Sequence, residues 1–129
     1  MRNYKDYFYL VFRVLVGLGF MLHGGQKLFG IFGSRGAVDV FSLMGLAGII
    51  EFFGGLLIIF GLFTAVVAAV SAVEMIVALI MAHFPGGINP LTNGGEPAML
   101  YFAAFLAVMA YGPGRISLDR VLFSKKKGK

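Results

Sequence analysis

Apolar residues in this chain do not recur at the spacing of one helix face. They run on in long stretches broken by glycine, proline and single charges. The first stretch extends from about Tyr7 to Leu28 and is interrupted by Arg13 and His23; the second, from Leu43 to Phe63, holds Glu51. The third, from Ala65 to Phe84, holds Glu74 and stops at Pro85-Gly86-Gly87. The turn dipeptides Asn89-Pro90 and Asn93-Gly94 lead to Glu96-Pro97, which reads as an N-cap followed by the first helical residue. The fourth stretch, 97–111, ends at Gly112-Pro113-Gly114. Segments apolar on every side predict helices in an apolar medium. At 1.5 Å per residue the first three each reach across a hydrocarbon core of roughly 30 Å, and the fourth is shorter. The pattern predicts an all-α, polytopic membrane four-helix bundle, with helices at about 7–28, 43–63, 65–84 and 97–111, forming a single integral-membrane domain over 1–129.

Composition agrees. Of 129 residues 59% are hydrophobic and 13% charged, more apolar surface than a small soluble domain can bury. A basic segment precedes the first run as in a signal peptide, but the run is too long and lacks a small-residue cleavage site. The chain has no cysteine, which excludes disulfides, iron–sulfur clusters and thiol catalysis within it. Its net charge of +5 is concentrated at the ends: Arg2 and Lys5 at one, and Arg115, Arg120, Lys125, Lys126, Lys127 and Lys129 at the other. Such clusters also suit nucleic acid, but here they flank membrane spans, so no nucleic-acid partner is expected. With the loop Pro85–Pro97 free of basic residues, the positive-inside rule puts both termini and a basic tail, 112–129, in the cytoplasm. Lys27 and Arg35 run against that rule. The expected location is the cell inner membrane, with anionic lipid at the lysine cluster and Tyr4, Tyr7, Tyr9 and Tyr111 in an interfacial belt.

Small residues indicate the packing. Gly48, Gly54 and Gly55 surround Glu51; Ala65, Ala68, Ala69 and Ala72 lie along the third helix, and Ala103, Ala104, Ala107 and Ala110 along the fourth. Such stripes let helix backbones approach in lipid. On the first helix Arg13, Gly17, Phe20, His23, Gly24 and Lys27 share one face.

Each ionisable group in a span costs roughly 2.5–3.5 kcal/mol to insert and needs a reason to be there. His23 and Glu51 fall about 8 and 12 Å from the same end of the bundle, where they can meet. A His–carboxylate pair there either holds two helices together or binds a ligand and passes protons. Arg13 either snorkels to the headgroups or forms a structural ion pair with Glu74, which is too deep to escape and must pair or stay protonated. His83, nine residues beyond Glu74, falls on the opposite face and belongs at the mouth of the bundle with Asn93 and Glu96. The candidate quinone or proton site is therefore His23, Gln26, Lys27, Glu51, His83 and Glu96. His23, Glu51, His83 and Glu96 lack a compact metal motif, so no metal is expected. Haem held by the two histidines ranks below a quinone. Gly17-Leu18-Gly19 lacks the third glycine of a phosphate loop.

His23-Gly24-Gly25-Gln26-Lys27-Leu28-Phe29-Gly30 resembles the HG-x-QK-L-x-G element of the DoxX family. Glu51-Phe52-Phe53-Gly54-Gly55 with Gly61-Leu62 is similar to its second-helix element. Asn93-Gly94-Gly95-Glu96 with Tyr101, and Gly112-Pro113-Gly114 with Ser117-Leu118-Asp119, resemble the entry to and exit from its fourth helix. The resemblance implies a four-helix membrane protein linked to thiosulfate:quinone oxidoreductase and other membrane redox complexes. It carries His23, Gln26, Lys27, Glu51 and Glu96, with His83 a looser match. A quinone-linked oxidoreductase subunit, acting with other subunits or as a homo-oligomer, is thus the leading functional expectation. A non-enzymatic membrane anchor or assembly module is the second, and an oligomeric transporter or channel the third.

Overall fold

The computed structural model describes residues 3–31 and 36–124; Arg2, Arg35 and the lysines from 125 onward lie outside them. All regular structure among the described residues is helical. Helix α1, Tyr4–Phe29, begins three residues before the expected position because Asn3 and Asp6 form a reciprocal capping box, and it stops at Gly30 in the left-handed conformation. Helix α2, Leu43–Phe60, starts on the Ser42 side chain and ends before left-handed Gly61, three residues short of the expected boundary. Helix α3, Thr64–Ala78, continues through a π turn, Leu79–His83, and a 3-10 turn, Phe84–Gly86. The single turn α4, Pro90–Asn93, leads into α5, Glu96–Tyr111, whose cap is Gly95 rather than Glu96. The expected tail contains a further helix, α6, Leu118–Phe123.

Among the described residues three segments are long and apolar enough to cross a membrane: Tyr4–Phe29, Leu43–Phe60 and Thr64–Gly86. The fourth apolar helix, α5, has 16 residues, about 24 Å. The protein is thus a multi-helix membrane protein with a shorter last helix.

The helices pack as two pairs, α1 on α2 and α3 on α5. Gly17 and Gly24 of α1, seven residues apart, lie against the α2 backbone at Gly55 and Phe52, while Gly48 of α2 lies against Lys27 and Leu28. A Cβ on Gly17 would stand 2.7 Å from the Gly55 carbonyl oxygen, so only glycine permits this approach. Phe20, Ile58, Ala68, Ala72, Phe105 and Val108 fill the space between the pairs. The alanine stripe of α5 does not pack as expected. Ala103, Ala107 and Ala110 are exposed, because Ala98, Phe105 and Val108 occupy the inward face of that helix.

One end of the bundle, where the described residues begin and end, is tied by polar bonds. Arg13, 2% exposed, neither snorkels nor meets Glu74. Its Nε donates to the Ile58 carbonyl at 2.9 Å and its Nη2 to that of Ile59 at 3.1 Å, satisfying carbonyls at the end of α2. Its Nη1 donates to the carbonyls of Pro113 at 2.6 Å and Ile116 at 2.9 Å. The expected Arg13–Glu74 ion pair is replaced because these carbonyls lie within reach of the guanidinium, whereas Glu74 lies toward the opposite end. Beside this cluster the Tyr9 hydroxyl donates to the Gly112 carbonyl at 2.6 Å.

The start of α3 has no cap of its own: Phe63 stands there at φ 52°, a conformation costly for a residue with a Cβ. Asp119 of α6 supplies what is missing, accepting from the Phe63 and Thr64 amides at 2.7 and 2.9 Å. Its own amide donates to the Gly61 carbonyl at 2.9 Å. Asp119→Ala is expected to lower unfolding free energy in detergent by about 1–2 kcal/mol, as the loss of a helix cap does. Arg13→Lys is expected to cost about 2–3 kcal/mol, since an ammonium cannot reproduce the fork to four carbonyls. Thermal or denaturant melts in one detergent check both.

Candidate functional site

Toward the other end, α2 and α3 part. They touch where Gly54 lies against Val67 and Ser71, and beyond that level a cavity of about 810 Å³ opens between them, within the size range of ordinary ligand sites. Its walls are apolar: Leu46 and Ile50 from α2, Val70, Val73 and Val77 from α3, and Ala98 from α5. Its polar groups are His23, Lys27, Glu51, Glu74 and His83, with Tyr101 beside them.

Glu51 is 3% exposed and accepts from Lys27 Nζ at 2.8 Å. The glycine contacts explain the distance: Gly24 and Gly48 bring Lys27 of α1 down onto the face of α2 one turn from Glu51. Glu74 lines the cavity beside Glu51, and its Oε1 is buried with no hydrogen-bond partner among the protein atoms. Buried polar oxygens are nearly always paired, so this one stands out beside the ion pair.

His23 lies on the same face of α1, one turn before Lys27. Its ring packs edge-on against Tyr101, with centroids 5.6 Å apart at 87°. The expected His23–Glu51 hydrogen bond is not formed; Lys27 takes that place because its flexible stem reaches the carboxylate and brings a full charge. His83 reaches the cavity although it was expected on the opposite face from Glu74. The π turn, with its wider i→i+5 bonding, advances less per residue than an α-helix and swings His83 round. His83 Nδ1 lies 3.2 Å from the Asn93 carbonyl oxygen. Neither Gln26 nor Glu96 lines the cavity: Gln26 is half-buried, and Glu96 is exposed in the first turn of α5. No group of His, Asp and Glu suited to a metal ion is found among the described residues.

Sequence reasoning placed Glu74 in a different partnership and treated Tyr101 only as part of a family element. A signal for Glu74 was present, since Glu51 and Glu74 are both acids within apolar runs on consecutive helices at similar depth.

The profile of the DoxX family matches residues 8–84. The chain belongs to the DoxX family. The match spans α1 to α3 and so includes the Lys27, Glu51 and Glu74 cluster. Over 97% of its length the chain is 38% identical to an uncharacterized protein of Haemophilus influenzae, covering 98% of that protein. It is 30% identical to "Inner membrane protein YqjF" of Escherichia coli over 97% of this chain and 99% of the other. It is 29% identical to "Putative oxidoreductase CatD" of Bacillus subtilis over 92% and 89% of the two chains. No solved structure matches this DoxX protein.

Gly24→Ala is expected to cost about 1–3 kcal/mol of stability, because the new methyl would strike the α2 backbone at Phe52. Gly86→Ala, whose Cβ would meet only Asn93 at 3.8 Å, is expected to stay within about 0.5 kcal/mol of the parent. Parallel melts of the two variants separate close helix approach from a general intolerance of glycine replacement.

Proposed function

We propose that this DoxX protein is the quinone-handling membrane subunit of an oxidoreductase, with the quinone ring held in the cavity beside Lys27, Glu51 and Glu74. The observation that carries the reading is the Lys27–Glu51 ion pair beside the unpartnered Glu74 carboxyl, lining an apolar cavity inside membrane-spanning helices. Intramembrane ionisable groups in such a place serve as ligand sites or proton relays more often than elsewhere.

The residues present fit a quinone. Its ring carries two carbonyl oxygens, for which Lys27 Nζ and the His23 ring are donors, and the cavity walls suit its apolar body. When bound, a quinone supplies the two-electron, two-proton redox chemistry that a cysteine-free chain lacks. The protein's own part is to hold the ring, exclude water and offer the Glu74 carboxyl as a proton carrier beside it. Lys27 balances the Glu51 carboxylate at 2.8 Å. Electrons then come from a partner subunit, in keeping with the oxidoreductase name of the Bacillus subtilis relative. The name of the Escherichia coli relative supports the inner membrane as the location, and the basic ends support both termini being cytoplasmic.

One observation favours a second reading, a non-enzymatic assembly module. Lys27 and Glu51 satisfy each other at 2.8 Å, as a static lock between α1 and α2 would.

Ubiquinone-1, extracted and quantified after gel filtration of the protein in lipid nanodiscs, separates the two. The quinone reading predicts saturable binding near one per chain, weakened at least tenfold, or about 1.4 kcal/mol, in Glu74→Gln and His23→Ala. Glu96→Gln, outside the cavity, is expected to bind as the parent does. Absence of binding to the parent at any loading, with Glu74→Gln merely less stable, would leave the assembly module.

A further inference from the structure

The cavity has no wall between α2 and α3 on the side facing away from the bundle. Leu46 and Val73, which line it from the two helices, are themselves 52% and 64% exposed. Met44 and Met81 continue the same two rims and are also exposed. Residues that line a cavity and yet stand half exposed on the helix surface mark an open cleft. Both helices span the membrane, so the medium outside that cleft is hydrocarbon rather than water. The end of the bundle is built differently. There the connection from α3 to α5 is stitched across the mouth: Asn93 Nδ2 donates to the Gly87 carbonyl at 2.8 Å, and the Gly95 amide donates to Asn93 Oδ1 at 2.7 Å. The Asn93 carbonyl in turn engages His83. Gly94 from this connection and Pro97 at the start of α5 form part of the cavity wall.

We infer that the cleft between α2 and α3 is a lateral port, through which a ligand with a hydrogen-bonding ring and one long prenyl chain enters from the bilayer and along which its chain stays. The inference rests on the quinone reading above and adds to it the route and the part of the molecule that sets retention. The charged cluster lies at the inner end of the cleft and holds the ring. The rims carry only alkyl and thioether side chains, which meet an isoprenoid chain as they meet lipid acyl chains. A chain lying between two helices loses little on leaving the bilayer, because the cleft is as apolar as the lipid it replaces. What it gains is contact on both sides along the helices.

Half-buried Ala47 of α2 and Ala78 of α3 stand on opposite walls of the cleft, one helical turn from Glu51 and Glu74, so a large side chain at either one narrows the port without replacing a member of the charged cluster. The chain has no tryptophan, and Ala47→Trp and Ala78→Trp therefore each add a plug and a unique fluorophore. The full chain in nanodiscs is loaded with ubiquinone-10 or with its tail-less ring, ubiquinone-0, and bound quinone is extracted and counted. The port predicts that the parent holds ubiquinone-10 at least tenfold more tightly than ubiquinone-0. It also predicts that each plug lowers ubiquinone-10 retention at least tenfold and changes ubiquinone-0 binding less than twofold. Independently of any quinone, nanodiscs of brominated lipid are expected to quench the new tryptophan by more than half.

Equal binding of the two probes to the parent, or equal loss of both in the plugged variants, overturns the port while leaving the ring site standing. So does a tryptophan that brominated lipid fails to quench. Binding of neither probe to the parent overturns the ring site and the port together. Should one plugged variant fail to fold, the other, from the facing helix, gives the same reading.

Discussion

A carboxylate surrounded by hydrocarbon is tolerable only if a counter-charge is brought to hydrogen-bond distance, and in this bundle glycine makes that possible. Gly24 and Gly48 let α1 and α2 come together closely enough for Lys27 Nζ to reach Glu51 at 2.8 Å. Without the pair Glu51 would have to shed its charge or leave the interior. The same close approach commits α1 and α2 to each other over their length, leaving α3 to lean on α5. The cavity is a consequence: α2 cannot serve two neighbours equally, and on its far side it parts from α3 beyond Gly54. The ion pair, the helix pairing and the space for a ligand are therefore one arrangement seen at three scales.

The two ends of the bundle carry opposite properties. At the terminal end a single guanidinium holds four carbonyls, and Asp119 caps a helix from a distant part of the chain. Arg13, Ser117 and Asp119 there have their partners among backbone atoms, which suits a fixed base. At the other end the polar groups are side chains, and they border open space. A bundle rigid at one end and open between two helices at the other can take in a hydrophobic molecule without losing its fold.

Much of the fold was legible in the chain because a bilayer permits few alternatives: long apolar runs of this length become helices, and glycines among them mark close contacts. Gly17 and Gly24 share one face of the first helix, and Gly48 and Gly55 surround Glu51 on the second. Arg13 was misread because its partners are carbonyls, which every residue possesses and no sequence pattern advertises. The π turn that brings His83 to the cavity has no sequence signature either. The α5 alanines were taken as a packing stripe, yet packing is decided by Phe105 and Val108, whose larger side chains seek the interior. Of the candidate site, His23, Lys27, Glu51 and His83 do gather, while Gln26 and Glu96 stay outside the cavity. Glu74 joins them because it lies at a similar depth to Glu51 on the neighbouring helix.

The most direct test of this arrangement is a double-mutant cycle on the pair at its centre. Lys27→Met and Glu51→Leu, alone and together, are melted in the same detergent, and the four unfolding free energies give the coupling. A paired charge in the bundle interior predicts that each single variant loses about 3 kcal/mol or more, that the double variant regains most of it, and that the coupling exceeds about 1.5 kcal/mol. Additive losses, with the double variant as unstable as the sum of the singles, would mean that the two charges do not meet inside the membrane.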